Sequence, residues 1–350
     1  MDRIKGLIIK IKVTTKAAII ENTLLLFIST LFLIIAIITV NIIPNNLDIY
    51  NLVNRVYYNC FRVMLRYVIF TYALLIGLEK IGLKWMRNIN MLKAKNITSS
   101  FIIIVCISIS LASFCALKLF IPIITPYSWD PLLIRTDFFL MFKHHPWLVL
   151  KNKFALSDIP KKVAIFGYVS WFIVNYLVMW WQIVSSNIFA RNQFLISWVA
   201  TWLFMGIVVA TIFSSVGPCF YNSFYHDTPE FINIMHESLY NSNKINYFYL
   251  IKSSLLNNYQ NKQFIPGTGI SAFPSLHVAI ATINCIAISK KLPKLYLVSV
   301  IYILLVTFSC VYSGLHYLID CIAGALGAVI IWYVVGKVLR SLRNNGCWRS

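Results

Sequence analysis

The chain has 350 residues, of which 59% are hydrophobic and only 12% are charged, and its formal net charge is +20. This composition is too apolar for a soluble globular protein and too poor in charge for a disordered one. The positive charge does not indicate nucleic-acid binding, because the basic residues cluster between apolar runs, as in membrane proteins. The sequence therefore predicts an all-α, polytopic membrane helix bundle with no nucleic-acid partner.

The first third of the chain contains three predicted membrane spans. A basic stretch at residues 1–16 precedes an apolar run at 23–43, which has no small-residue cleavage site and is expected to be a retained span. A second run at about 61–78 and a third at about 99–124 are separated by a lysine-rich loop. All three runs have about the length that crosses a bilayer.

Residues 127–153 alternate apolar clusters with charged residues and histidines. This pattern is typical of helices that lie in the membrane interface. Two interpretations remain open for this segment. It is either a platform that packs on the helix bundle, or a cap over a site to which Arg135, Lys143 or neighbouring residues contribute positive charge.

Two more spans are predicted at about 163–184 and 195–216. The second of them ends at Gly217 and Pro218, which stop a helix and allow the backbone to approach a ligand closely. Tyr221 can donate a hydrogen bond to a phosphate or head group, although aromatic residues are also common at any membrane interface. Residues 221–270 are predicted to form a long polar loop, which contains His226 and Asp227 as a solvated pair.

Two stretches near the C-terminus carry the residues most suited to chemistry, SAFPSLHVA at 271–279 and SGLHYLID at 313–320. Pro274 suits the first turn of a helix, where unpaired backbone N–H groups beside Ser275 and His277 can bind a phosphate. Between the two stretches, apolar runs at about 274–289 and 295–311 predict a helical hairpin across the bilayer.

This hairpin returns His316 to the membrane face at which His277 begins, so the two histidines are expected to meet. Asp320 follows His316 by four residues, one helical turn on, where its carboxylate can hold a ring nitrogen. A last span begins at about residue 317, which brings the total to about eight. Gly324 and Gly327 give this span a stripe of small residues for close helix packing.

The pair PSLH and HYLID resembles the second and third motifs of the type 2 phosphatidic acid phosphatase superfamily. The stretch SSVGPCFY at 214–221 resembles the first motif of its transferase-like branch, which includes fungal inositol phosphorylceramide synthase. Leu276 and Cys310 stand where the phosphatase branch usually has glycine and arginine. The resemblance implies that His316 attacks phosphorus, that Asp320 orients it and that His277 protonates the leaving oxygen. It also suggests Ser275, Gly217 and Tyr221 as substrate-binding residues.

The family fold implies a six-helix core at residues 98–340, which includes the interfacial segment 127–153. Residues 1–97 would then add two transmembrane helices, and residues 341–350 would form a cytoplasmic tail. Lysine and arginine number 18 in one alternate set of loops and 10 in the other. Both termini are therefore expected in the cytoplasm, with the active site on the extracytoplasmic face of the plasma (inner) membrane.

The resemblance implies a membrane lipid phosphatase or phosphotransferase that forms a phosphohistidine intermediate. The enzyme would be inositolphosphotransferase-like, with a polyol or sugar as the possible acceptor. No metal or cofactor is expected. Hydrolysis of a lipid phosphate, such as phosphatidate or a polyprenyl phosphate, is the first alternative. A transporter or scramblase with a His/Asp relay is an alternative of another class, but the sequence shows no inverted repeat. The sequence predicts no particular oligomeric state.

Overall fold

The computed structural model describes residues 2–42, 57–59, 62, 66, 94–154, 158–240, 247–261 and 269–345. Within these residues the regular elements are helices and there is no strand, which confirms the predicted all-α fold class. The predicted span at about 61–78 lies outside the described residues, apart from Arg62 and Arg66.

The longer helices of the described residues are, in chain order, α1 (Asp2–Ile42), α2 (Ala94–Lys118), α3 (Asp130–Leu140), α4 (Pro146–Phe154), α5 (Ile159–Ile183), α6 (Ile188–Leu203), α7 (Glu230–Tyr240), α8 (Tyr247–Gln260), α9 (Leu276–Lys291), α10 (Tyr296–Tyr312) and α11 (Leu318–Asn344). Helix α6 continues through a π-helical turn, Phe204–Val209, into the short helix Ala210–Ile212. Single helical turns occur at Ile121–Ile124, Pro218–Phe220, Tyr221–Phe224 and Pro293–Leu295.

Six helical segments of the described residues are long and apolar enough to cross a membrane, so the chain is a multi-pass membrane protein. These segments are Thr15–Ile42, Thr98–Ile124, Ile159–Ile183, Ile188–Ile212, Pro293–Tyr312 and Leu318–Asn344. Helix α9 has only 16 residues. Its length of about 24 Å is less than the hydrocarbon thickness of about 30 Å, so α9 does not qualify by length alone.

The predicted polar loop at 221–270 is wrong, because the described part of this region contains α7 and α8. Phe231, Ile232 and Met235 are buried on α7, and Phe248 and Lys252 are buried on α8. On α7, Met235 follows Phe231 and Ile232 by four and three positions, and on α8 Lys252 follows Phe248 by four, so each helix buries one face. The polar residues between them obscured the helical period in the sequence.

The described residues form two compact units. The first comprises the described residues within 1–114, 179–199 and 332–350, and the second comprises those within 115–178 and 200–331. In the first unit, side-chain hydrogen bonds join α1 to α2: Asn22 donates to Ser99 over 2.8 Å, and Ser110 donates to Ser29 over 3.0 Å. Such polar contacts between apolar helices are typical of membrane bundles.

In the second unit, the start of α9 differs from the prediction. Ser275 is the N-cap residue, with its hydroxyl 3.5 Å from the backbone nitrogen of Val278, and Pro274 lies before the helix rather than in its first turn. Helix α11 approaches this cap closely, because a Cβ atom on Gly324 would lie 2.4 Å from the carbonyl oxygen of Ser275. The predicted small-residue contact of the last span is therefore confirmed at Gly324.

Candidate active site

Three stretches that are far apart in the sequence meet in the second unit through backbone hydrogen bonds. Ala272 donates to Ser215 over 3.0 Å, Cys219 donates to Gly314 over 2.8 Å, and Ser275 donates to Asp320 over 2.9 Å. These are the SSVGPCFY, SAFPSLHVA and SGLHYLID stretches. Backbone pairing fixes their relative positions regardless of side-chain rotamers.

His277 and His316 lie in contact, with Nδ1 of His277 at 3.3 Å from Nε2 of His316. On the other side of the His316 ring, Nδ1 lies 2.8 Å from the carbonyl oxygen of Ala272. Because a carbonyl can only accept, Nδ1 of His316 carries a proton. In the neutral ring, Nε2 therefore presents its lone pair towards His277.

The His316 ring is almost fully buried, with 7% of the residue exposed. Burial is the largest cause that lowers the pKa of His316 below its ordinary value, and the charge of Lys118 lowers it further. Cys310 and the hydrogen bond to Ala272 act in the opposite direction but do not reverse the shift. His316 is therefore neutral at neutral pH, which is the state that a nitrogen nucleophile requires.

Asp320 lies beside His316, but not in the geometry that the sequence predicted. Helix α11 begins at Leu318, so His316 lies in the preceding turn rather than one helical turn before Asp320. The nearer oxygen of Asp320 is 3.6 Å from Nδ1 of His316 and accepts a 2.9 Å hydrogen bond from the backbone of Tyr317. The Ala272 carbonyl thus fixes the ring, with the fully buried Asp320 carboxylate next to it.

Helix α5 forms an aromatic wall around His277. The rings of Tyr168 and Trp171 lie 5.0 and 4.9 Å from the His277 ring, centroid to centroid. The indole nitrogen of Trp171 also donates a 2.8 Å hydrogen bond to the His277 carbonyl. Sequence reasoning did not assign Trp171 to the site.

Asp130 holds the first motif in place. Its carboxylate accepts hydrogen bonds from the backbone of Val216 and Gly217, at 3.0 and 2.8 Å, and from the hydroxyls of Tyr225 and Tyr317, at 2.9 and 3.0 Å. The residue is completely buried. Burial raises the pKa of Asp130, against the effect of these four hydrogen bonds. One carboxylate therefore links α3, the turn after α6 and the residue next to His316.

Asp137 caps the N-terminus of α11. Its two oxygens accept hydrogen bonds from the backbone of Leu318 and Ile319, at 2.7 and 2.8 Å. Burial raises the pKa of Asp137 to about 7, while these two bonds lower it and the nearby Asp320 raises it. Together, Asp137 and Asp320 satisfy the first backbone donors of the helix, as in a capping box. The backbone N–H groups of Tyr317, Leu318 and Ile319 are consequently bonded within the protein and do not point to a substrate.

The segment 127–153 is anchored to the helices that carry the histidines. Besides Asp130 and Asp137, Tyr127 donates to the Ile270 carbonyl over 2.8 Å, and Trp147 donates to the Tyr312 carbonyl over 3.1 Å. A small cavity beside His316 is lined by Ile134, Asp137, His145, Pro146, Trp147, Pro218, Phe231, Met235, Val311, His316 and Tyr317. The segment thus packs on the core and also forms a wall of this cavity.

Arg135 and Lys143 do not form part of that wall. Both residues are exposed, and neither lines the cavity beside His316. The geometry therefore favours the platform interpretation of the segment over a cationic cap.

The three predicted substrate-binding residues have internal partners in this structure. The Ser275 hydroxyl caps α9 and lies 3.8 Å from the sulfur of Cys310. Gly217 donates to Asp130, and Tyr221 is buried and stacks on Tyr225 with centroids 4.4 Å apart. Contact of these residues with a substrate stays a prediction.

Gly217 has a conformational requirement of its own. Its φ is +87°, and a Cβ atom there would lie 2.6 Å from the carbonyl oxygen of Leu315, the residue before His316. Only glycine fits this backbone conformation at such close approach.

A profile of the PAP2 superfamily matches residues 131–334, which is more than half of the chain and includes both histidines and Asp320. The chain belongs to the PAP2 superfamily. Neither the curated proteins nor the solved structures include a significant match to it. Membership agrees with a lipid phosphatase or phosphotransferase and with the helical membrane bundle described above.

Two residues of this PAP2 protein that sequence reasoning missed, Lys118 and Asp130, lie outside the matched range. Lys118 is the last residue of α2 and is half-buried. A Cβ atom on Gly269 would lie 2.9 Å from Cγ of Lys118, so the lysine stem packs against the chain that leads to Ala272. The charge of Lys118 acts electrostatically on both His277 and His316. A lysine within an apolar span is itself a signal of function.

Replacing Asp130 with alanine is expected to lower the free energy of unfolding by about 3 kcal/mol or more, since four buried donors would lose their acceptor. The measurement is thermal unfolding of the purified variant in detergent. Asp227→Ala, at an exposed carboxylate, is the matched control and should unfold like the wild type. Equal stability of the two variants would contradict the anchoring role of Asp130.

Proposed function

We propose that this PAP2 superfamily protein is a lipid phosphotransferase of the inositolphosphotransferase-like type, which forms a phosphohistidine on Nε2 of His316. The observation that carries the proposal is the 3.3 Å contact between Nδ1 of His277 and Nε2 of His316. Because Nδ1 of His316 is engaged by Ala272, only Nε2 is available for attack, and the second histidine lies directly beside it.

In the first step, Nε2 of neutral His316 attacks the phosphorus of a lipid phosphate or phosphodiester. In the free protein, burial holds the pKa of His277 well below its ordinary value, with smaller contributions from His316 and Lys118. The negative charge of the bound phosphate favours the protonated form of His277. The bond from phosphorus to the leaving oxygen breaks, and His277 in this protonated form gives its Nδ1 proton to that oxygen. A separation of 3.3 Å leaves no space for phosphorus between the two nitrogens. The substrate must therefore move the His277 and His316 rings apart as it enters.

In the second step, the oxygen of an acceptor hydroxyl attacks the same phosphorus. The phosphorus–nitrogen bond breaks and returns the lone pair to Nε2 of His316, while Nδ1 of His277 takes the proton of the acceptor. With a phosphodiester whose head-group alcohol leaves in the first step, a polyol or sugar acceptor gives a lipid with a new head group. With a lipid phosphate, whose lipid alcohol leaves, the same acceptor gives a polyol or sugar phosphate. Water as the acceptor gives hydrolysis in both cases. The carboxylate of Asp320, 3.6 Å from Nδ1 of His316, stabilises the positive charge that develops on this ring.

Lys118 supplies positive charge for the phosphate in this proposal. The position of the phosphatase-branch arginine is occupied here by Cys310. None of Arg135, Lys143 and Lys118 lines the small cavity beside His316, but Arg135 and Lys143 are exposed. Lys118 is half-buried and acts electrostatically on both histidines. A fixed cation in a poorly hydrated site stabilises transition-state charge more than it would in water.

Replacing Lys118 with glutamine is expected to reduce kcat/KM by about 100-fold, since it removes this charge and keeps most of the stem. Lys118→Arg should retain much more activity because it keeps the charge. Lys294→Gln, at an exposed lysine in the turn between α9 and α10, is the matched control. The measurement is steady-state turnover of a short-chain lipid phosphate. Similar rates for Lys118→Gln and Lys294→Gln would show that Lys118 does not contribute to the site.

The proposal includes the arrangement that charge and family resemblance predict. Both termini lie in the cytoplasm, and the site opens on the extracytoplasmic face of the plasma (inner) membrane. Residues 98–340 form the catalytic core, after two additional helices at 1–97 and before a tail at 341–350. A site near a helix terminus at this interface suits a lipid whose tails stay in the bilayer.

The test is product analysis with purified protein and a panel of lipid phosphates and phosphodiesters, with and without inositol or sugar acceptors. A lipid with a new head group from a phosphodiester, or a phosphorylated acceptor from a lipid phosphate, that forms only in the presence of an acceptor supports transfer. Free phosphate from the lipid phosphates and a phosphomonoester from the phosphodiesters, with or without an acceptor, make the protein a hydrolase and overturn the transferase assignment. If no product forms although a thermal unfolding transition shows that the protein is folded, the proposal as a whole is overturned.

A further inference from the structure

The catalytic histidines share their site with a thiol that the proposed reaction does not use. One ring nitrogen of His277, one ring nitrogen of His316 and Sγ of Cys310 all lie within 4.8 Å of one another. Cys310 is completely buried. Two imidazoles and a thiolate form a ligand set that prefers zinc and similar soft metal ions over magnesium or calcium.

The geometry of the two nitrogens matches a zinc site. Two nitrogens that are each about 2.0–2.1 Å from a tetrahedral zinc ion lie about 3.3 Å apart. The separation between His277 and His316 is 3.3 Å. The sulfur of Cys310 lies within 4.8 Å of a ring nitrogen of each histidine. A tetrahedral nitrogen–sulfur separation is about 3.6 Å, so a shift of about 1 Å brings the sulfur into range.

The surroundings of His316 also fit a metal ligand. Metal-binding histidines usually donate their other ring N–H to a carbonyl or carboxylate, which fixes the ring and its tautomer. His316 does this through Nδ1 and the Ala272 carbonyl at 2.8 Å, with Asp320 at 3.6 Å. The negative charge of Asp320 partly offsets the repulsion that Lys118 exerts on a cation at this place.

We infer that His277, His316 and Cys310 form an inhibitory zinc site at the catalytic centre. Zinc accepts the lone pairs of His277 Nδ1 and His316 Nε2, and His277 then binds as the neutral ring with its proton on Nε2. The Nδ1 proton of His277 and the thiol proton of Cys310 pass to solvent as the nitrogen–zinc and sulfur–zinc bonds form. The metal then occupies the nucleophilic nitrogen, so zinc and lipid substrate compete. The binding of zinc is independent of the proposed function, whereas its inhibitory effect rests on that function.

The test uses cobalt as a spectroscopic substitute for zinc, with purified protein in detergent from which any histidine tag has been removed. The wild type should bind one equivalent of cobalt, with a thiolate-to-cobalt charge-transfer band that zinc abolishes by displacement. Cys310→Ser should lose this band and bind zinc at least about tenfold more weakly. Cys285→Ser, at another buried cysteine of the same unit, should behave as the wild type.

An unchanged band in Cys310→Ser, or no cobalt binding by the wild type, overturns the inference. If the serine variant does not fold, Cys310→Ala serves in the same comparison. Inhibition is then measured on the wild type, where zinc should raise the KM for lipid substrate without lowering kcat. Because cobalt binding needs no turnover, a failure of the zinc site and a failure of the proposed enzyme activity give different results.

Discussion

Replacing His316 with alanine is expected to reduce turnover by about 10⁴-fold or more, because no other nitrogen is placed to form the covalent intermediate. The structure leaves Nε2 of His316 as the attacking atom, since Nδ1 is engaged by the Ala272 carbonyl. The measurement is kcat/KM with a lipid phosphate, together with trapping of radiolabelled phosphoprotein at short reaction times. The wild type should show an acid-labile, base-stable phosphohistidine that the variant lacks.

The matched control for this prediction is His226→Ala, since His226 is an exposed histidine outside the site. It should retain both turnover and the trapped phosphoprotein. Both alanine variants should also unfold at about the wild-type temperature. Label retained on the His316 variant would mean that another residue is the nucleophile, and the assignment of His316 would fail.

Replacing His277 with alanine is expected to slow turnover of a natural lipid phosphate by about 10²–10⁴-fold, since the leaving oxygen would depart without a proton. The loss in the first step should nearly disappear with an aryl phosphate, whose leaving group needs no proton. The second step would still lack its base. The aryl substrate should therefore release one equivalent of its phenol rapidly and leave a phosphoprotein that persists. Rapid mixing measures the phenol, and trapping of radiolabel measures the phosphoprotein.

This pattern separates an acid–base role of His277 from a structural one. Trp171→Phe is a useful comparison, because it removes the hydrogen bond to the His277 carbonyl but keeps the ring nitrogens. It should slow natural and aryl substrates by similar factors. If His277→Ala is equally slow with both substrates and shows no initial burst, His277 does not act as the proton donor.

Much of the candidate site was predictable because its motifs are short and local. The spacing of the hairpin predicted that His277 and His316 would meet, and the structure places the predicted runs in α9 and α10, within about two residues of the expected bounds. The position of Asp320 near His316 was also predicted. The predicted reason, a spacing of one helical turn, was wrong. His316 lies in a turn before the helix, and Asp320 caps the N-terminus of that helix.

Other residues could not be assigned from their local sequence. Asp130 and Asp137 occur in a segment that reads as interfacial, and nothing near them in sequence indicates that their partners are Gly217 and Ile319. Lys118 lies near the end of an apolar run, and no motif surrounds it. Only its packing against Gly269 and its electrostatic effect on the histidines relate it to the site.

The sequence by itself determined that this protein lies in a lipid bilayer, that its fold is helical and which residues are able to carry out phosphoryl chemistry. Apolar runs of bilayer length must be helical in lipid, because each backbone donor and acceptor has to be satisfied within its own segment. The tertiary structure alone decided which nitrogen of His316 is available, because that depends on the carbonyl of Ala272, 44 residues earlier in the chain. It also decided where the charges lie, since burial and distance set electrostatic interactions and neither is encoded in local spacing.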